Sequence, residues 1–153
     1  MKIKTVQALN AYNLLKTVKV ASMSNETAVK VWKAIKSFRP IAEEYKKSQE
    51  EAIETLKDEK FDEMQMRVQK AREREERVNK EGYVLTDDEK RDVAEINKYF
   101  AEFNEKGNEY FNELADKEVD VEPEKIEVSD LLKGLKESNS SFQDMEELDF
   151  MIC

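Results

Sequence analysis

Apolar side chains in the second quarter of the chain recur at alternating steps of three and four residues. The positions are Ala28, Val31, Ile35, Phe38, Ala42, Tyr45, Ala52 and Leu56, with the polar Gln49 at one step. This spacing places them on one face of an α-helix, as in helices that pack against another helix. The pattern predicts a long amphipathic helix with an interaction seam formed by Val31, Ile35, Phe38 and Tyr45.

The same helix is predicted to continue to about residue 80. The apolar spacing resumes at Val68 and Ala71 if residues 57–60 are a four-residue insertion in the repeat, and these four include no glycine or proline. A proline inside a helix costs roughly 3 kcal/mol through a lost hydrogen bond and a ring clash. At Pro40 the helix therefore either breaks or bends. Because the apolar spacing is unchanged across Pro40, one kinked helix over about 25–80 is expected.

A second helix is predicted over 87–117, after a turn. Gly82 is expected to end the first helix, and Thr86 to Glu89 form a capping box, in which the two side chains accept hydrogen bonds from each other's backbone amides. A second apolar seam follows at Val93, Ile96, Phe100, Phe103, Gly107, Tyr110 and Leu114. Gly107 favours a close approach of the facing helix, or a hinge. The fold class is therefore mainly α, a long antiparallel helical hairpin.

Smaller elements are predicted at both ends of the chain. Thr5 is expected to cap a short N-terminal helix that ends near Lys16, and Ser24 to cap the long helix. Alternation of polar and apolar residues predicts short β-strands over 2–6, 17–21, 118–121 and 126–128, the last two being separate strands or one strand bent at Pro123, with pairing to the first strand. Ser129 is expected to cap a small helix over 130–136. These elements form one domain, residues 1–136.

Residues 137–153 are predicted to be an acidic-hydrophobic C-terminal tail. Its apolar residues include Phe142, Met145, Leu148 and Phe150. Tails of this composition are commonly disordered alone, or they act as short motifs that fold on a partner. The sequence leaves both interpretations open.

The lengths of the two long helices predict association. At 1.5 Å per residue, the segment 25–80 spans roughly 80 Å and the helix 87–117 about 46 Å. Part of the seam on the first helix would stay uncovered by the second. The chain is therefore expected to form a homo-oligomer or to dock on a larger protein.

Composition gives no indication of catalysis. The 153 residues include no histidine and one cysteine, Cys153, so a Ser-His or Cys-His nucleophile pair is excluded and the commonest metal ligand is missing. No phosphate-binding glycine loop or zinc motif occurs. We predict no enzyme activity, no catalytic residues, no cofactor and no metal site.

Charge is unevenly distributed along the chain. Residues 1–47 hold ten Lys/Arg against three Asp/Glu, and residues 48–153 hold 16 against 32. We expect the basic and acidic parts to lie side by side and to compensate each other. Because no aromatic stacking residues alternate with the basic ones, nucleic-acid binding is not predicted. No apolar run of roughly 20 residues is present, so no membrane partner is predicted either.

Three stretches resemble a family of short, uncharacterised tailed-bacteriophage proteins that includes minor structural proteins. They are MKIKTVQALNAYNLLKTVKV, ETAVKVWKAIKSFRPIAEEYKKSQEE and FNELADKEVDVEPEKIEVSDLL. The resemblance covers roughly residues 1–56 and 93–132, and it includes no catalytic signature.

The resemblance implies a non-catalytic virion-associated or assembly protein. It is expected in the virion or the host cytoplasm and to associate through its helices with itself or with larger phage structural proteins. The alternative is a phage-encoded inhibitor that binds a host protein.

Overall fold

A computed structural model describes residues 1–137 and 141–153. These residues are mainly α-helical with two short strands, which confirms the predicted fold class. The elements are β1 (Lys2–Lys4), α1 (Thr5–Thr17), a 3-10 helix (Val20–Ser22), α2 (Asn25–Leu56), α3 (Phe61–Glu81), α4 (Asp87–Asp116), β2 (Glu118–Asp120), α5 (Val128–Glu137), α6 (Phe142–Glu147) and a second 3-10 helix (Asp149–Met151).

The helix predicted over 25–80 is two helices, and its expected continuity through residues 57–60 is wrong. Asp58 interrupts it: one oxygen of its side chain accepts a hydrogen bond from the Lys60 amide at 3.0 Å, and its carbonyl accepts one from the Phe61 amide at 3.1 Å. An aspartate that bonds nearby backbone in this way replaces helical bonding. At Pro40, by contrast, α2 continues without a break.

The chain forms two compact units. The first consists of Met1–Ser48 and Glu113–Cys153, and the second of Gln49–Asn112. Helices α2 and α4 each contribute residues to both units.

A small antiparallel sheet joins the two chain segments of the first unit. Ile3 of β1 lies opposite Val119 of β2. The sheet is extended by the Val121 amide, which donates to the Met1 carbonyl at 2.9 Å. The predicted pairing of residues 2–6 with the strand near 118 is confirmed.

Several local predictions for the first unit are wrong. Residues 20–22 form a 3-10 helix where an extended strand was expected. Lys4 is the N-cap of α1 and Thr5 is its first residue, so Thr5 does not cap the helix; its hydroxyl donates to the Lys117 carbonyl at 2.9 Å. Near residue 126 the only pairing in the described residues is a parallel bridge between Ile126 and Ile152.

The start of α2 is as predicted and is also tied to α5. The Ser24 hydroxyl oxygen accepts a hydrogen bond from the Thr27 amide at 3.2 Å, as expected of an N-cap. The same hydroxyl donates to the Asp130 carboxylate at 2.6 Å, and the Ser24 amide donates to it at 3.0 Å. These bonds, with a third from Lys133 at 2.9 Å, hold the pKa of Asp130 well below its ordinary value.

The segment that the sequence separated as a tail contributes to the core of the first unit. Leu148 and Met151 are fully buried. The Ile126 amide donates to the Met151 carbonyl at 3.0 Å, and the Cys153 amide donates to the Ile126 carbonyl at 2.9 Å. Residues 138–140 of the predicted tail lie outside the described residues.

Ion pairs within the first unit confirm the expected charge compensation. Lys2 lies 3.5 Å from Glu118, Lys4 lies 2.7 Å from Asp116, and Lys33 pairs with Glu124. Exposed pairs of this kind contribute little stability individually. Their consequence is that the basic residues near the N-terminus face acids of the later chain.

Candidate functional site

The second unit is built around an antiparallel pair of helices, α3 and α4. Gly82 follows α3 with a φ of 68°, the left-handed conformation that favours glycine at a helix end. The Thr86 amide donates to the Glu89 carboxylate at 2.9 Å, and the Glu89 amide donates to the Thr86 hydroxyl at 3.2 Å. Both the helix end and the capping box are confirmed. The Tyr83 hydroxyl also donates to Glu89, at 3.0 Å.

Charged side chains join α3 to α4 along one side. Asp92 accepts hydrogen bonds from Arg67 at 2.7 Å and from Arg74 at 2.8 Å, and Arg67 also donates to Glu95 at 2.6 Å. Arg74 and then Arg67 lower the pKa of Asp92 because they stabilise its charged form. The network fixes the register of the two helices.

Aromatic residues hold the other end of the helix pair. The Phe61 ring lies 6.0 Å from Phe100 and 5.1 Å from Phe103, centre to centre. The Tyr99 hydroxyl donates to Asp58 at 2.6 Å, and this bond raises the pKa of Tyr99 to about 12. The residue that interrupts the predicted long helix is therefore anchored to α4.

A groove of about 960 Å³ opens between the two helices, and we call it the α3–α4 groove. Its apolar lining residues are Val68, Ala71, Val78, Leu85, Val93, Ile96 and Phe100. Among them Ile96 is buried and the others are half-buried. Its polar lining includes Gln65, Gln69, Asn97 and Asn104. An apolar floor with a polar border is typical of a surface that receives another protein segment.

Two opposite charges also line the groove without a partner. Arg72 and Glu75, three residues apart on α3, both line it. Within the described part of the chain neither side chain takes part in an ion pair or hydrogen bond. They are therefore available to a molecule that enters the groove.

The four residues of the seam predicted on α2 are buried or half-buried in the structure. Val31 and Phe38 are fully buried in the core of the first unit, and Ile35 is half-buried and packs against that core. Tyr45 is half-buried. The chain itself therefore covers most of the seam that the sequence left uncovered.

The four residues of the predicted tail motif also differ in burial. Leu148 is fully buried, and Met145 and Phe150 are half-buried against the core. The Phe150 ring lies 6.1 Å from the ring of Phe38. Phe142 is 91% exposed. Three of the four residues thus pack inside the protein.

A smaller apolar surface lies on the outer face of α2. Trp32 is 59% exposed and Val29 is 50% exposed, three residues earlier on the same face. The Lys36 ammonium lies 5.3 Å from the centre of the Trp32 ring, a cation–π distance.

The remaining candidate chemistry is sparse. No group of three or more Asp, Glu or Cys residues in the described ranges is arranged to hold a metal ion. Among the described helices, none is both long and apolar enough to cross a bilayer. Cys153 is exposed and forms no disulfide in the described residues, and its thiol donates to the Ile126 carbonyl at 3.6 Å.

Comparisons with protein-family models, curated proteins and solved structures found no match for this chain.

Sequence reasoning did not identify the α3–α4 groove, although its residues were visible as parts of the two seams. Val93, Ile96 and Phe100 were expected to be covered by the facing helix. The sequence feature that could have indicated the groove is the facing segment 68–78. Its only apolar residues are Val68, Ala71 and Val78, and the others are polar or charged. So thin an apolar face covers Ile96 but leaves Val93 and Phe100 only half-buried.

Proposed function

We propose that this chain is a non-catalytic bacteriophage protein, associated with the virion or its assembly, that acts through helix-mediated association with itself or with larger phage structural proteins. The observation that supports the proposal is the α3–α4 groove, an open apolar surface on two regular helices. The resemblance of residues 1–56 and 93–132 to tailed-phage proteins supports the phage context.

The chemistry of the groove suits a helix as its occupant. An amphipathic helix recognises a groove through apolar residues three and four positions apart. Full burial of an exposed large apolar side chain contributes roughly 1.5–3 kcal/mol, and the half-buried Val93 and Phe100 would each contribute a part of this. A few such contacts are enough for specific association, which is what an accessory or assembly protein requires.

The test is the presence of the chain in purified phage particles at a fixed copy number, measured by quantitative mass spectrometry. A phage carrying Val68→Glu, which places a charge in the groove, is expected to incorporate the protein at a reduced copy number. Met66→Glu is the matched control, because Met66 is 64% exposed on the same helix and does not line the groove.

Absence of the wild-type chain from particles and from assembly intermediates would exclude this function. Equal incorporation of the two variants would exclude the groove as the surface responsible.

A second candidate function is inhibition of a host protein, and the exposed surface at Trp32 favours it. Tryptophan is enriched among the residues that dominate binding energy at protein interfaces. Under this alternative, a pull-down from host lysate recovers one stoichiometric partner with the wild-type chain and loses it with Trp32→Ala. Recovery of no such partner would speak against the inhibitor.

A further inference from the structure

We propose that the α3–α4 groove is covered by the same groove of a second copy of this chain, with α3 of one copy antiparallel to α3 of the other. The product is a symmetric bundle of four helices, two from each copy. This inference deepens the proposed function, on which it rests, by naming the partner.

The charges that line the groove are complementary to themselves. A two-fold axis level with Glu73 brings Arg72 of one copy to within one residue of the level of Glu75 in the second copy. Because the arrangement is symmetric, the same pair forms twice. Both side chains are exposed and lack a partner in the described part of the chain. A second copy thus supplies both opposite charges without any further sequence.

The apolar residues fit the same register. Val68 and Val78 are each five residues from Glu73, so each valine faces the other valine of the second copy. Both line the groove. In an antiparallel helix pair, layers of this kind form the buried seam. One register therefore satisfies both the charges and the apolar side chains.

The turn between α3 and α4 also contacts the second copy in this arrangement. Val84, between α3 and α4, is 78% exposed, the second most exposed large apolar residue among those described. Antiparallel pairing centred on Glu73 brings the tip of the second copy near the level of Phe61. Since Phe61 and Phe100 are in ring contact, this is also the level of Phe100, which lines the groove.

The contact area predicts a weak dimer. Two adjacent helices, each about 10 Å wide, overlap the second copy over about 28 Å, the length of residues 64–82. The total buried area is then on the order of 1,100 Å², slightly below the range of stable, specific interfaces. Association is therefore expected to depend on protein concentration.

The experiment is sedimentation equilibrium of the full-length chain from about 1 to about 200 µM, a range in which a micromolar dimer dissociates. Arg72→Glu places two glutamates against each other at both symmetric positions and is expected to raise the dimer Kd about tenfold or more. Glu75→Arg is expected to weaken the dimer similarly. The double variant R72E/E75R reverses both charges and is expected to restore the Kd to within about threefold of the wild type.

Lys70→Glu is the matched control. It makes the same change of charge two residues away on α3, and Lys70 does not line the groove. Its Kd is expected to stay close to that of the wild type. Circular dichroism of each variant verifies that the helices are retained.

A monomer over the whole concentration range overturns the inference, even if the α3–α4 groove binds a different protein. So does a dimer whose Kd responds equally to Arg72→Glu and Lys70→Glu, or one that the double variant does not restore. These outcomes are distinct from failure of the proposed function. A monomeric chain found in particles retains the function without the dimer, and a dimer absent from particles and assembly intermediates retains the dimer alone.

Discussion

The packing around Gly134 leaves no room for a side chain. A Cβ built there would lie 2.6 Å from Cγ1 of Val18 and 3.0 Å from the Lys19 carbonyl oxygen. The second contact is with backbone, which cannot turn aside. Gly134→Ala is expected to lower the free energy of unfolding by about 1–3 kcal/mol, because the added methyl group overpacks the site. Urea denaturation measures the change.

Gly107→Ala is the control for that substitution. The nearest atom to a Cβ at this position is Cδ1 of Leu56, at an ordinary contact distance of 3.9 Å. Alanine should therefore stabilise α4 by up to about 1 kcal/mol through its higher helix propensity. Equal effects of the two substitutions would contradict the packing argument at Gly134.

The two glycines also show which packing contacts of a single residue can be predicted from sequence. The spacing of the seam placed Gly107 opposite the facing helix, and Leu56 does approach it. Which glycine excludes a side chain depends on the distance to atoms far away in the chain. Val18 is more than 100 positions from Gly134, and no local pattern indicates their contact.

At the scale of elements, the bond between Asp130 and Ser24 makes stability depend on pH. Hydrogen bonds from Ser24 and Lys133 lower the pKa of Asp130 from its ordinary 3.8. A carboxylate with a lowered pKa in the folded state stabilises the protein above its unfolded pKa. This contribution is lost as the pH falls below about 4 towards the folded pKa.

Asp130→Asn is therefore expected to be less stable than the wild type at pH 7, with a difference that shrinks below about pH 4. Thermal unfolding between pH 2 and 7 measures it. Glu102→Gln controls for the loss of one negative charge, because Glu102 is exposed in the middle of α4 and its side chain takes part in no ion pair or hydrogen bond within the described residues. A difference for Asp130→Asn that does not change with pH would show that its charge is not the stabilising feature.

The ends of helices were predictable only where the chemistry is local. Gly82 and the capping box of Thr86 and Glu89 lie where the sequence placed them, because each motif involves residues within a few positions. Asp58 is different. Its side chain bonds the Lys60 amide locally, but it is also held by Tyr99, which comes from the facing helix. A sequence without glycine or proline at this point gave no sign of the break.

At the scale of the whole molecule, the C-terminal segment completes the first unit. Leu148→Ala is expected to lower the free energy of unfolding by about 2–5 kcal/mol, the usual cost of emptying a fully buried leucine site. Phe142→Ala, in the same segment, should change it by less than about 0.5 kcal/mol because its ring is 91% exposed. Chemical denaturation compares the two variants.

Similar small effects for both variants would mean that the C-terminal segment does not pack against the core in solution. Similar large effects would mean that Phe142 is covered there. Either result would contradict the positions of these side chains in the first unit.

The apolar surface that stays open in the folded chain differs from the one that the sequence predicted. The sequence predicted an uncovered seam on α2 at Val31, Ile35, Phe38 and Tyr45. In the folded chain, α2 packs in a core that also contains Leu131, Leu148 and Met151. An open apolar surface that remains in the described residues is the α3–α4 groove.

The sequence by itself determined the mainly α fold class, the antiparallel pairing of helices around Gly82, the first strand pair, and the expectation of charge compensation. The helices, their ends and the position of each strand follow from periodicity and capping chemistry, which are properties of residues near one another in the chain, whereas the strand pairing and the charge compensation were expected from comparing distant segments. Only the tertiary structure decided which apolar faces stay open. Burial is shared between residues distant in sequence, so Val31 and Leu148 became core, whereas Val68, Val93 and Phe100 were left lining a groove.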